Sequence, residues 1–216
     1  MSAQRPVLFF DLDGTLIDSS VGITRSIAYA LETLRHPVPD AQALRGWIGP
    51  ALRTSFQPLL RDDDKVEQAV ALYLERYARE GWTEHSVYDG IAELLDGLRA
   101  AGYRMAVVTA KNEGNARLIL SHLPFGAYFE DIVGSTEDGR LTHKVELIAE
   151  ALQRFGLQPA QCVMIGDRSM DMDGAARHGM TGVGVLWGFG SEQELREAGA
   201  QRIALAPAQL PELLAA

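Results

Sequence analysis

The chain has almost no cysteine, no long apolar run and no excess of positive charge, and each shortage closes a class of function. Cys162 is the single cysteine in 216 residues, so no internal disulfide can form, which fits a reducing compartment. It stands in the apolar run Gln161-Cys162-Val163-Met164-Ile165, which predicts a buried, unreactive thiol. No segment approaches the roughly 18 apolar residues of a membrane span. Met1 to Pro6 hold no apolar signal-peptide core. A cytoplasmic protein with no membrane partner is expected. Lys and Arg number 20 against 29 Asp and Glu, a net charge of -9. Such a chain cannot displace phosphate counterions over an extended surface, so no nucleic-acid polymer is expected as a partner. A local basic site for a small anion is not excluded. The five histidines, His36, His85, His122, His143 and His178, are scattered without metal-ligand spacing, and His143 reads as solvent-facing.

Hydrophobic residues make up 47% and charged residues 23%, the proportions of a folded globular chain. Val7-Leu8-Phe9-Phe10 is too short for a helix and reads as a buried strand. Similar runs recur at 105–108, 132–133, 162–165 and 183–186. Helical stripes separate them: Ile91, Leu94, Leu95 and Leu98 before Gly102, and Val145, Ile148, Ala149 and Leu152 before Gly156. Strands alternating with helices predict an α/β fold, a parallel sheet covered on both faces. The rhythm breaks after the first strand. Ile23, Ile27, Ala30, Leu31 and Leu34, then Val66, Ala69, Val70, Tyr73, Leu74 and Tyr77, follow helical spacing with no strand between them. This predicts a helical insertion over 17–82, flanked by a core made of 1–16 and 83–216.

Asp11-Leu12-Asp13-Gly14-Thr15-Leu16 follows the first strand directly. In open parallel sheets, ligands bind beyond the carboxyl ends of strands. There the first carboxylate, Asp11, can attack phosphorus, while Asp13 protonates the leaving oxygen and later activates water. Gly14 lets the backbone turn sharply. Two carboxylates facing a phosphate dianion need cations. Gly166-Asp167-Arg168-Ser169-Met170-Asp171 also follows an apolar strand. Asp11, the backbone carbonyl of Asp13 and Asp167 form a hard-oxygen set suited to Mg²⁺, with Asp171 orienting Lys144 or a metal-bound water. Thr109 and the N–H groups around Ala110 end another strand and can hold a phosphate oxygen. Lys144 can offset charge on the transferred group. Taken singly, each is ordinary: a solvated turn, a strand end, a surface lysine, a helix cap. Their ordered combination at strand ends and helix starts carries the chemistry.

These four signatures, Asp11 to Leu16, Thr109, Lys144 and Gly166 to Asp171, resemble the haloacid dehalogenase-like hydrolase superfamily along essentially the whole chain. The resemblance implies a Rossmann-like core and an α-helical cap. It also implies a phosphoaspartate on Asp11 and acid–base catalysis by Asp13. Closure of the cap would exclude water and present residues that select the leaving group. Within the superfamily the chain is similar to the phosphoglycolate phosphatase-like group and to bacterial 5'-nucleotidases. The segments Asp18 to Ile23, Ile48 to Leu52, Gly166 to Arg168 and Leu186 to Ser191 carry that similarity. Many phosphoglycolate phosphatases follow the signature lysine with proline, whereas Val145 follows Lys144 here. The expected reaction is Mg²⁺-dependent hydrolysis of a small phosphorylated metabolite by a monomer or homodimer. A phosphomutase of the same fold is the alternative. A phospho-Asp signalling receiver is disfavoured by chain length and by Asp13, and a dehalogenase by Asp13 and Asp167. Gly49-Pro50-Ala51-Leu52-Arg53 is expected to form a specificity loop in which Arg53 contacts substrate. Trp187 and Phe189 are expected to pack beneath their glycine-rich loop.

Overall fold

The computed structural model describes residues 5–136 and 138–215. Along the chain, β1 (Val7–Phe10) and β2 (Ile17–Asp18) precede helices α1 (Ser20–Thr33), α2 (Ala41–Arg45), α3 (Leu52–Leu60) and α4 (Asp63–Arg79). Then follow β3 (Ser86–Val87), α5 (Ile91–Ala100), β4 (Met105–Asn112), α6 (Glu113–Ser121), β5 (Ile132–Ser135) and α7 (Lys144–Phe155). The last elements are β6 (Cys162–Gly166), α8 (Ser169–His178), β7 (Thr181–Val185), α9 (Glu192–Glu197), β8 (Arg202–Ala204) and α10 (Leu210–Ala215). The chain divides into two compact units, one of Met1–Ile17 with Val87–Ala216 and one of Asp18–Ser86.

The larger unit is α/β. Its sheet runs β5-β4-β1-β6-β7-β8, parallel at every pairing. Successive side chains of a strand point to opposite faces. Val7 and Phe9 therefore join a core with Ala106, Val108, Met164, Leu147, Ile148, Ala151 and Ala175, under α7 and α8. Leu8 and Phe10 are buried on the other face, where Phe10 meets Phe129 edge-on with ring centroids 6.1 Å apart. Burial on both faces explains why β1 reads as an uninterrupted apolar run. Cys162 lies in this core, and burial raises its thiol to about 11, so it remains an inert thiol at neutral pH. Gly156 ends α7 in the left-handed conformation, φ 62°, as a closing glycine should.

The order places β1 between β4 and β6. The chain winds outward from β1 to β4 and β5, then returns to the opposite side of β1. This reversal is where an open α/β sheet leaves a crevice at its carboxyl ends. The short edge strand β8 has no counterpart in the apolar runs of the sequence. Three residues, two of them half-exposed, leave too little alternation to read.

The smaller unit is helical. Ile23, Ile27, Ala30 and Leu31 of α1 and Val66, Ala69, Val70, Tyr73 and Tyr77 of α4 are buried. Arg76 is buried with them, donating to Ser26 Oγ at 3.1 Å and to Glu84 at 2.9 Å. Asp62 caps α4 by accepting from the Lys65 N–H. One expectation is corrected here. Leu52 and Arg53 do not lie in a loop; they open α3, whose extended N-cap is Ala51. Pro58 sits in the last turns of that helix, and its helix-breaking character masks the segment in the sequence. Among the described residues, no helix is long and apolar enough to cross a membrane.

Candidate active site

Asp11 directly follows β1, and its N–H donates to the Ile165 carbonyl at 2.9 Å. The ladder between β1 and β6 thus carries the Asp11 backbone alongside the strand end that delivers Asp167. The next turn is tight. The Leu12 carbonyl accepts from the N–H groups of Leu16 at 2.9 Å and Ile17 at 3.1 Å. Gly14 adopts φ +84°, and a Cβ there would lie 2.1 Å from Asp167 Oδ2. Only glycine meets both the backbone angle and the close approach.

Asp167 is fully buried and engaged at both oxygens. The Thr15 hydroxyl donates to Oδ1 at 3.2 Å, and the Phe189 N–H donates to Oδ2 at 2.8 Å. The loop supplying that amide is fastened by Trp187, whose indole Nε1 donates to the Thr15 carbonyl at 2.9 Å. Both aromatic positions therefore support the Asp167 loop: Trp187 through its side chain, Phe189 through its backbone. A Cβ at Gly188 would meet the Gly14 carbonyl oxygen at 2.2 Å, so the two loops touch through backbone.

Lys144 opens α7, and its side chain is fully buried. Nζ lies 2.9 Å from Asp11 Oδ1 and 2.7 Å from Asp171 Oδ1, and donates to the Val108 carbonyl at 2.8 Å. Burial alone would lower this ammonium, but Asp11 and Asp171 outweigh it and hold the pKa above the ordinary lysine value. Asp171 enters from the first turn of α8, where its other oxygen accepts from the Arg168 N–H at 3.1 Å. Thr109 is buried near the end of β4, followed by half-buried Ala110. His143, the N-cap of α7, is exposed.

Several supporting residues were not singled out in the sequence. Lys111 pairs with both oxygens of Asp13, at 3.0 and 2.8 Å. Glu194 accepts from Arg168 Nε at 2.9 Å and from the Ser169 N–H at 2.8 Å, fixing the start of α8. Thr15 holds Asp167. The position of Lys111 two residues beyond Thr109 and that of Thr15 within Asp11 to Leu16 were the available signals, while Glu194 carries none.

Asp11, Asp167 and Asp171 each offer an oxygen within 4.8 Å of the others, and all three are buried. Against three carboxylates, Lys144 supplies one positive charge. This hard-oxygen set with excess negative charge fits a divalent metal ion. Without a metal the crowding is visible in the acidities. Burial, then Asp171 and Asp11, raises Asp167 well above its ordinary value. Burial also raises Asp171 from 3.8 to about 6, against the pull of Lys144. A carboxyl whose folded pKa is raised contributes stability at low pH and loses it as pH climbs through the folded value. The metal-free chain should therefore lose stability as pH rises from 3.8 to about 6. Since a cation displaces the bound protons, Mg²⁺ should raise the melting temperature more at about pH 7.5 than at about pH 5. Thermal melts with and without Mg²⁺ at both pH values check this, and equal shifts would contradict it.

The chain is similar to known proteins along most of its length. A 5'-nucleotidase of Pseudomonas aeruginosa is 45% identical over 192 residues, covering 88% of this chain and 87% of the relative. A protein of Mycobacterium tuberculosis named tyrosine-protein kinase PtkA is 41% identical over 184 residues; the match covers 85% of this chain but 63% of that longer protein. The crystal structure of a predicted phosphatase from Clostridium acetobutylicum superposes with a TM-score of 0.93 at 36% identity, covering 99% of this chain and 100% of the other. The profile of the haloacid dehalogenase-like hydrolase family matches residues 8–185, a span that runs from β1 to the end of β7 and includes Asp11, Asp13, Thr109, Lys111, Lys144, Asp167 and Asp171. The chain belongs to the haloacid dehalogenase-like hydrolase family.

Proposed function

We propose that this chain is a Mg²⁺-dependent phosphatase that hydrolyses a small phosphomonoester through an aspartyl phosphate on Asp11. The observation that carries the reading is the buried constellation at the strand ends, where Lys144 bridges Asp11 and Asp171 at 2.9 and 2.7 Å beside Asp167. The Asp11 carboxylate attacks phosphorus and the bond to the leaving oxygen breaks, with Asp13 giving that oxygen its proton. Ionised Asp13 then takes a proton from water. The resulting hydroxide attacks phosphorus, the Asp11–phosphate bond breaks, and inorganic phosphate leaves with Asp11 regenerated. The Thr109 hydroxyl and the Ala110 N–H hold a phosphoryl oxygen, and Lys144 offsets its charge. Asp11, Asp167 and the Asp13 carbonyl would hold Mg²⁺, which when bound neutralises charge on the phosphoryl group.

A nucleoside monophosphate is the first substrate to test, supported by the Pseudomonas relative's name, while Val145 after Lys144 weakens phosphoglycolate. The test is a phosphate-release screen over nucleoside monophosphates, phosphoglycolate, sugar phosphates and an aryl phosphate. Chelation should stop release, and full activity in EDTA would remove the metal from the scheme. Asp13→Asn should slow turnover by about 10² to 10⁴, the usual reach of acid–base catalysis. Arg53 is proposed to contact the substrate's organic part or a second anion. Glu67 grips its guanidinium at 2.6 and 2.8 Å, so it would engage substrate in exchange for that partner. An Arg53→Ala variant with unchanged KM across the panel would end this assignment.

A further inference from the structure

The site holds two lysines among its carboxylates, and the structure gives them separate partners. Lys144 serves Asp11 and Asp171. Lys111 serves Asp13, reaching both of its oxygens. The second pair is nearly sealed, with 6% of the Lys111 side chain and 11% of the Asp13 side chain exposed. Lys111 is itself firmly placed. Its N–H donates to Thr109 Oγ1 at 3.2 Å, and the next residue, Asn112, caps α6 by accepting from the Asn115 N–H. Between Val108 and Asn112 the register of β4 against β5 shifts. That irregularity re-aims side chains at the strand end, as bulges do beside active sites.

We propose that Lys111 is the positioning residue for Asp13, an assignment that rests on the phosphatase reading. A carboxylate side chain has several staggered rotamers open to it. A two-point, charge-assisted contact selects one of them. It holds Asp13 where it can reach the leaving oxygen, and acid–base transfer tolerates little misplacement. Lys144 cannot take over, because its ammonium is already spanned by two carboxylates and a carbonyl. The two lysines thus keep the nucleophile and the acid/base as distinct groups.

The test compares Lys111→Met and Lys111→Arg with the parent chain on phosphate esters of graded leaving-group basicity, from an activated nitrophenyl ester to a simple alkyl ester. An activated leaving group departs without a proton, so displacing Asp13 should cost it little. For Lys111→Met, kcat should fall about 10- to 100-fold on the alkyl ester and under about 3-fold on the nitrophenyl ester, with KM nearly constant. Lys111→Arg should recover part of the loss. In an Asp13→Asn background, Lys111→Met should add nothing further. Equal kcat losses on all esters, a rise in KM alone, or additive losses in the double variant would overturn the assignment, because each means that Lys111 acts on substrate or fold rather than through Asp13. Should Lys111→Met fail to fold, Lys111→Arg on the same ester series decides by the same criteria. No phosphate release by the parent chain would overturn the phosphatase reading itself and this role with it.

Discussion

Asp11→Asn should abolish turnover while leaving a folded protein. The amide oxygen is a poor nucleophile, so the covalent route through an acyl phosphate closes. Loss of such a group falls on the order of 10⁵-fold or more in kcat. The effect on stability should have the opposite sign. Asp11 is among the charges that raise Asp167 and Asp171, so neutralising it relieves repulsion in a buried cluster. Melting in the absence of metal should occur at an equal or higher temperature than for the parent chain. Catalytic clusters commonly hold their charges at the expense of stability. Residual phosphate release near the parent level would show that the nucleophile lies elsewhere.

Lys144→Met should damage both properties. The substitution keeps an apolar stem of similar length but leaves Asp11 and Asp171 facing each other without their shared cation. Removing one partner of a buried ionic group costs about 3 to 5 kcal/mol. In a chain of this size that is about 6 to 20 °C in melting temperature. Because Asp171 is already raised to about 6, acidification should recover part of the loss by protonating the stranded carboxylates. Turnover should fall by about 10² to 10³ at least, the scale of removing one preorganised charge from a transition state. Thermal melts at two pH values and phosphate release measure the two effects separately. An unchanged melting temperature would mean that the ion pairs contribute nothing net.

The parts of this site that the sequence displays are those tied to strand ends. β1, β4 and β6 are apolar runs buried on both faces, and a polar residue stopping each run has to emerge at the carboxyl edge. Asp11, Thr109 and Asp167 were legible for that reason. Lys144 and Asp171 were legible as the first turns of amphipathic helices. The Lys111 contact was not, because a lysine two residues beyond the buried run of β4 has no fixed direction in the sequence. Its aim depends on the register shift between Val108 and Asn112 of β4, which no residue type announces. Glu194 was hidden for a different reason: it reaches back 25 residues to Ser169, and nothing local distinguishes it from its acidic neighbours in α9. The α3 helix was obscured by Pro58, and β8 by its length.

Asp167 has a consequence for ionic selectivity. Both of its oxygens are tethered, one by a hydroxyl and one by an amide, and glycine backbone presses against it from two loops. A ligand gripped in this way cannot swing to widen its bite. Large ions such as Ca²⁺ draw on mobile, adjustable donors, whereas Mg²⁺ accepts a few fixed oxygens and completes its octahedron with water. Stiffness, more than charge, would then decide which divalent ion the crevice favours.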